Sequence, residues 1–274
     1  MIERDETRPA SPESGEAEDA KKSKQADSAL RRTASEYRET LQTILIAVVI
    51  ALGIRTFAYE PFNIPSGSMI PTLQVGDYLF VSKFSYGYTH FSFPFSPDLF
   101  EGRIMGSLPE RGDVAVFRKP NQDDIDYIKR IVGLPGDRIQ VIGGVLHING
   151  SAVKREKVAD RIYKRHNGGQ VAVTEYLETL PNGRQHLIYE ENDSEFLDNT
   201  PEFVVPQDHV FAMGDNRDNS QDSRVLHEVG FVPLENLIGR AQIIFFSHNS
   251  SARFWEVWRW PWAIRYGRLF NGIE

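Results

Sequence analysis

A mainly β fold, an antiparallel sheet domain with an inserted cap subdomain and one transmembrane helix ahead of it, is what this sequence predicts. Three observations carry the expectation. An apolar run from Leu41 to Tyr59 stands alone near the N-terminus. Beyond it come short β-prone runs broken by Gly-Asp and Gly-Gly pairs, and residues 142–205 are more polar than their flanks.

The apolar run reads LQTILIAVVIALGIRTFAY, and as a helix it would rise roughly 28 Å, about the hydrocarbon thickness of a bilayer. Ahead of it, residues 1–35 are rich in Glu, Asp, Ser, Lys and Ala, too poor in large apolar side chains to fold, and are expected to be disordered. Between residues 21 and 38 six basic residues (Lys21, Lys22, Lys24, Arg31, Arg32, Arg38) stand against two acidic ones, and after Arg55 no Lys or Arg occurs until Lys83. The positive-inside rule therefore puts the N-terminus in the cytoplasm and the rest outside it. Arg55 is expected at the outer end, its guanidinium snorkelling to the headgroups. A cleaved secretory signal and a buried soluble helix are competing readings. The long polar leader argues against the first, and an unpunctuated apolar stretch from Ile44 to Ile54 against the second.

After the anchor (36–60), strands are expected at Tyr78 to Ser82, Asp113 to Arg118, Ile139 to Val141, Val145 to Ile148, Val210 to Met213 and Ala241 to Phe246. Gly76-Asp77, Gly112-Asp113, Gly136-Asp137 and Gly143-Gly144 mark turns between them. The β domain then occupies 61–141 and 206–274, and the less regular stretch 142–205 forms the cap. A formal net charge of -7 argues against nucleic acid as a partner. With no Cys in the chain, disulfides, thiol catalysis and Cys–zinc sites are excluded together.

Candidate chemistry concentrates in three places. In Pro65-Ser66-Gly67-Ser68-Met69-Ile70-Pro71 the prolines and glycine fix an extended turn. Ser68 could present its hydroxyl there, while its own N–H and the Ser66 hydroxyl face a developing oxyanion. Ser-Gly-Ser between prolines is also a common linker. In Tyr127-Ile128-Lys129-Arg130-Ile131, strand alternation sends Lys129 to the face of Ile131, towards the core. Burial there would lower the amine's pKa towards what a general base needs. A snorkelling surface lysine is the alternative. The third place, Gly214 to Arg224 (GDNRDNSQDSR), follows an apolar strand and looks at first like a calcium loop. The EF-hand template fails, because its glycine position falls on Gln221 or Ser223 and its bidentate Glu on His227 or Val229. A structural hydrogen-bonded loop is the plainer reading, in which an Asp222–Arg224 ion pair could orient Ser220 in support of a catalytic amine.

PSGSMIPTL, GDYLFVSK, RGDVAVFR, YIKRIVGLPGD and MGDNRDNSQDSR stand in the order found in type I bacterial signal peptidases, the leader peptidases, and the chain resembles that family over the anchor and most of residues 57–247. The resemblance implies a membrane-bound serine endopeptidase with a Ser68–Lys129 dyad that cleaves leaders from exported preproteins in the bacterial inner membrane, without cofactor or metal. It further implies an oxyanion hole from Ser66 and Ser68, a hydrogen bond from Ser220 to Lys129, support from Asp222 and Arg224, and places for Met69 and Tyr127 near the nucleophile and substrate groove. Many members have two spans before the serine, whereas this chain offers one. Preproteins, the lipid bilayer and a secretion translocon are the expected partners.

Residues 255–262 (WEVWRWPW) hold all four Trp, with Arg253, Arg259, Arg265 and Arg268 around them, the composition of a membrane-interface patch or of an aromatic core segment. Three other functions compete. An anchored Ser-Lys peptidase could mature or cleave one specific partner or itself, although no Ala-Gly or Cys-Gly site precedes Ser68. A binding platform would not need both Ser68 and Lys129. A Ser-His-Asp hydrolase lacks its Gly-x-Ser-x-Gly elbow here.

Overall fold

The computed structural model describes residues 37–93, 100, 102–120, 122, 125–164, 169–249, 251 and 255–273. The polar leader expected over 1–35 and Arg253 lie outside the described residues. Helix α1 spans Tyr37–Phe57 and leaves its apolar side chains, such as Leu45 and Val49, exposed to the surroundings. A core helix would bury them. Length and composition suit a bilayer crossing.

The helix stops two residues before the expected end at Tyr59, with a last bond from Ala58 N to Ile54 O. The Phe57 ring sits edge-on to Tyr88 and Phe93, and Tyr59–Asn63 becomes strand β1, paired antiparallel with β2 (Asp77–Ser82). Arg55 pairs with Glu60, whose other carboxylate oxygen takes Lys83 at 2.8 Å.

Residues 54–274 form one compact unit of antiparallel strands. In the main sheet β1 and β2 are followed by β14 (Leu237–Ser247), β3 (Val114–Arg118), β4 (Asp126–Gly133), β12 (His209–Met213) and β13 (Val232–Pro233). A second sheet holds β11 (Phe203–Val204), β5 (Arg138–Ile142), β6 (Val145–Ile148) and β7 (Ser151–Ala152). One core cluster, with Leu79, Val81, Val116 and Ala241, receives Ile64, Met69 and Leu73 from the β1–β2 connection.

Gly-Asp pairs close turns by one shared device. In 74–77, 110–113 and 134–137 the Asp N–H bonds back to the carbonyl three residues earlier, and its carboxylate accepts that residue's N–H. The glycine before it stands at φ +90, +96 and +85, which other residues adopt only with strain. Asp77 goes further. Fully buried, it also receives the Ser247 hydroxyl and the guanidinium groups of Arg265 and Arg268.

The stretch expected to be irregular is in fact long regular strand: β8 (Lys154–Lys164), β9 (Gln170–Thr179) and β10 (Gln185–Glu190) form a three-stranded sheet. Its polarity reflects solvent on β8, where most side chains are exposed. Nor does the cap begin cleanly at 142, because β6 and β11 both pair with β5 across that boundary.

At the C-terminal end, Trp255 and Trp258 ahead of the short helix α2 (Trp260–Ala263) and Trp262 within it are exposed. Arg265 and Arg268 correct the expectation of headgroup-facing arginines. Beyond Asp77, Arg265 bonds Val75 O and Arg268 bonds Thr72 O at 2.9 Å, so both stitch the tail to the segment after Ser68.

Asp77→Ala strips these arginines of their carboxylate. It should lower unfolding stability by about 2–4 kcal/mol in urea melts and expose residues 249–274 to limited proteolysis. Unchanged melts would show that the tail is held by packing alone.

Candidate active site

Ser68 lies in the β1–β2 connection, a loop pinned at both ends by core side chains. Ile64 precedes it, and Met69 and Leu73 follow with no exposed surface. Apolar anchoring leaves the intervening Pro65-Ser66-Gly67-Ser68 turn at the rim. A second loop grips it from the side: Asn216 N donates to Ser68 O at 3.0 Å and Asn216 Nδ2 to Gly67 O at 2.9 Å. Thr72 donates to Asp215, which takes Arg130 in two hydrogen bonds of 2.9 and 2.8 Å.

Lys129 comes from the middle of the main sheet, on β4, opposite Ala115 of β3. It shares a face with Tyr127 and Ile131, as alternation predicts, and is only 4% exposed. Its Nζ lies 2.7 Å from Ser68 Oγ and 3.1 Å from Ile128 O, and 5.2 Å from the centre of the Tyr127 ring. Burial pushes the amine's pKa down to about 8, against the opposing pull of the Asp222 and Asp215 charges. Roughly one amine in ten is then neutral at pH 7, against roughly one in three thousand for a free lysine.

Ser66 Oγ stands 3.4 Å from Ser68 Oγ. Ser68 N–H donates to no protein acceptor among the described residues. Both donors stand at the rim of the cleft that holds the nucleophile. Asp222 and Arg224 form the expected pair, buried and doubly hydrogen-bonded at 2.9 Å, and Asp222 also accepts Gly214 N.

Two expectations need correction. Ser220 makes no hydrogen bond to Lys129. Its hydroxyl is buried without a partner in bonding geometry among the described residues, packed against Gly214 and close enough to Asp222 to help hold that carboxyl's pKa down. Met69 does not line the groove, because its apolar side chain is fully buried in the core beneath the serine. Tyr127 does line it.

The groove is a cleft of about 410 Å³ between Phe62–Ser68 and Ile125–Lys129, walled by Phe62, Ile64, Val116 and Ile128. Strand β12 pairs with β4 only from Arg130 onward, so the edge of Asp126–Lys129 is open towards the serine loop. No histidine lines this cleft among the described residues. His186 instead faces Glu178 at 3.3 Å, its pKa lowered by burial.

Sequence reasoning missed Asn216, Arg130, Asp215 and Gly214. All four sit inside the motifs that gave Lys129 and Ser220, but nothing in their spacing distinguishes a clamp from a solvated turn. Gly214 has a definite reason. A Cβ there would come within 2.2 Å of Ser220 Oγ and 2.5 Å of Ser68 O.

A serine hydroxyl bonded to a desolvated amine beside an open strand edge defines a class, the serine peptidases with a lysine base. The comparisons name the family. The model of the family described as signal peptidase, peptidase S26, matches residues 37–246. A signal peptidase I of Rickettsia typhi is 39% identical over 264 residues, covering 88% of this chain and 96% of the relative. That of Rickettsia akari is 40% identical over 271 residues, covering 91% and 98%. A crystal structure of a signal peptidase I from Enterococcus faecalis V583 is 23% identical and covers 49% of this chain and 97% of that one. Its TM-score of 0.29 is too low to bear on the argument. The chain belongs to the signal peptidase, peptidase S26, family and is a serine endopeptidase.

Two variants probe the geometry. Gly214→Ala must push Ser220 or the Ser68 carbonyl aside, and should cut turnover by at least about tenfold with little change in KM. Asp222→Asn removes a charge that favours the Lys129 ammonium, so the acid limb of the pH–rate profile should move to lower pH even as the maximal rate falls. An alkaline shift would contradict the assigned electrostatics.

Proposed function

We propose that the chain removes N-terminal signal peptides from exported preproteins, with Ser68 as nucleophile and Lys129 as general base. The observation that carries this reading is the 2.7 Å contact between Lys129 Nζ and Ser68 Oγ in a buried pocket. Neutral Lys129 takes the Ser68 proton as Oγ attacks the scissile carbonyl, and returns it to the leaving amine as the acyl-enzyme forms. The same amine then draws a proton from the water that hydrolyses the ester. Ser68 N–H and the Ser66 hydroxyl donate hydrogen bonds to the oxyanion, and the Asp222–Arg224 pair holds the loop that packs against the serine.

The open edge of β4 favours an extended substrate bound by main-chain hydrogen bonds. Membership of the family implies small side chains, typically Ala, at the first and third positions before the cut.

The chain is an anchored protein whose α1 crosses the bacterial cytoplasmic membrane, with the N-terminus inside and the sheet domain outside. The basic cluster before the helix supports that orientation. The exposed Trp255, Trp258 and Trp262 suit the interface where a preprotein leaving a translocon would be met.

With full-length enzyme in detergent, Ser68→Ala and Lys129→Ala should each lower preprotein cleavage by at least about a thousandfold, with melting temperature close to wild type. Normal processing by either variant would sink the dyad. In spheroplasts, added protease should degrade the sheet domain and spare the first forty residues, and the opposite pattern would reverse the orientation.

A further inference from the structure

Away from the cleft, three carboxylates from separate segments converge: Glu190 at the end of β10, Asp198 in the connection to β11, and Asp218 in the loop that carries Ser220. Each spends one oxygen on the protein. Glu190 Oε1 faces Arg155 at 3.8 Å, Asp198 Oδ2 accepts Glu195 N at 2.7 Å, and Asp218 Oδ2 accepts Glu191 N at 2.6 Å.

The other oxygen of each, Glu190 Oε2, Asp198 Oδ1 and Asp218 Oδ1, is sealed from solvent and has no hydrogen-bond partner among the described residues. Glu190 is 2% exposed and Asp198 not at all. Three orphaned anionic oxygens aimed at one buried point would repel one another and forfeit their hydration unless something between them replaced both.

We propose that this cluster is a calcium site. All three oxygens lie within 4.8 Å of one another. That is close enough for one cation to bridge them, and three protein carboxylates around one point suit the many-oxygen shell of calcium, whereas magnesium is held by one or two carboxylates and keeps several waters. Hard carboxylate oxygens without nitrogen or sulfur select the same ion class.

The site differs from the EF-hand excluded by sequence, because its ligands come from three segments and not from one loop. Its consequence is structural. Asp218 lies two residues before Ser220, and the same turn is tied to β9 by the buried Arg217–Glu178 pair. A bound cation would lock that turn to the cap sheet as well.

The test uses full-length protein in detergent, freed of metal with EDTA and titrated with calcium chloride by calorimetry, alongside thermal melts. One calcium per chain should bind and raise the melting temperature by several degrees, while magnesium at the same concentration should bind at least about tenfold more weakly. Asp198→Asn should weaken calcium binding more than about tenfold and abolish the thermal shift.

Failure of the wild type to bind calcium at millimolar concentration would overturn the proposal without reliance on any variant. So would an Asp198→Asn protein that melts higher than wild type and is indifferent to calcium, since that would identify carboxylates sharing protons. Equal or tighter binding of magnesium would overturn the choice of ion.

Discussion

Keeping water away from one amine is the constraint on which the rest of this structure depends. An ammonium at the Lys129 position loses its hydration to Tyr127, Ala115 and the surrounding strands, and moving its pKa from 10.5 to about 8 costs about 3 kcal/mol in the charged form. Both neighbouring carboxylates work against that shift. The fold limits their effect by giving each its own guanidinium: Arg130 for Asp215 and Arg224 for Asp222. The sheet must therefore deliver a lysine to its centre, while the serine, which has to meet substrate, arrives on a loop at the rim.

Polar loops around a dry amine are hard to hold by apolar packing alone. Residues 213–224 are held instead by three buried arginine–carboxylate pairs: Arg130–Asp215, Arg217–Glu178 and Arg224–Asp222. Buried pairs of this kind add little net stability over well-packed apolar side chains, but they fix directions. Here the direction is towards Ser68, whose carbonyl is caught by Asn216 N and whose loop is caught through Thr72. The tail closes the other side, where Arg268 reaches Thr72 O and Asp77.

Much of this was legible in the chain. Turn glycines before Asp77, Asp113 and Asp137 marked real turns, and the alternation around Lys129 set its face correctly, because both signals are local. The misreadings have particular causes. Met69 and Ser220 belong to the right motifs, but spacing does not say that Met69 drops into a core shared with Val116 and Ile238, or that the Ser220 hydroxyl packs against Gly214 and Asp222 in its own loop. Arg265 and Arg268 looked like headgroup binders because the carboxylate that takes them, Asp77, lies almost two hundred residues earlier. The strands β8 to β10 looked irregular because β8 is wet on both faces and the buried face of β9 and β10 carries Glu175, Glu178, His186 and Glu190, so the apolar period-two pattern that identifies strands is lost. The run holding Asp218 drew attention as a cation loop, but its companions Glu190 and Asp198 lie on two other segments that no single-loop template spans.

The most direct measurement is titration of the Lys129 side chain itself, by NMR of the full-length Ser68→Ala protein in detergent with lysine labelled at Cε and the resonance assigned by Lys129→Arg. A midpoint near pH 8, well apart from the other lysines, is the result this account requires. A Lys129 resonance that titrates with the bulk near 10.5 would contradict it, because an amine still charged across neutral pH cannot take the serine's proton.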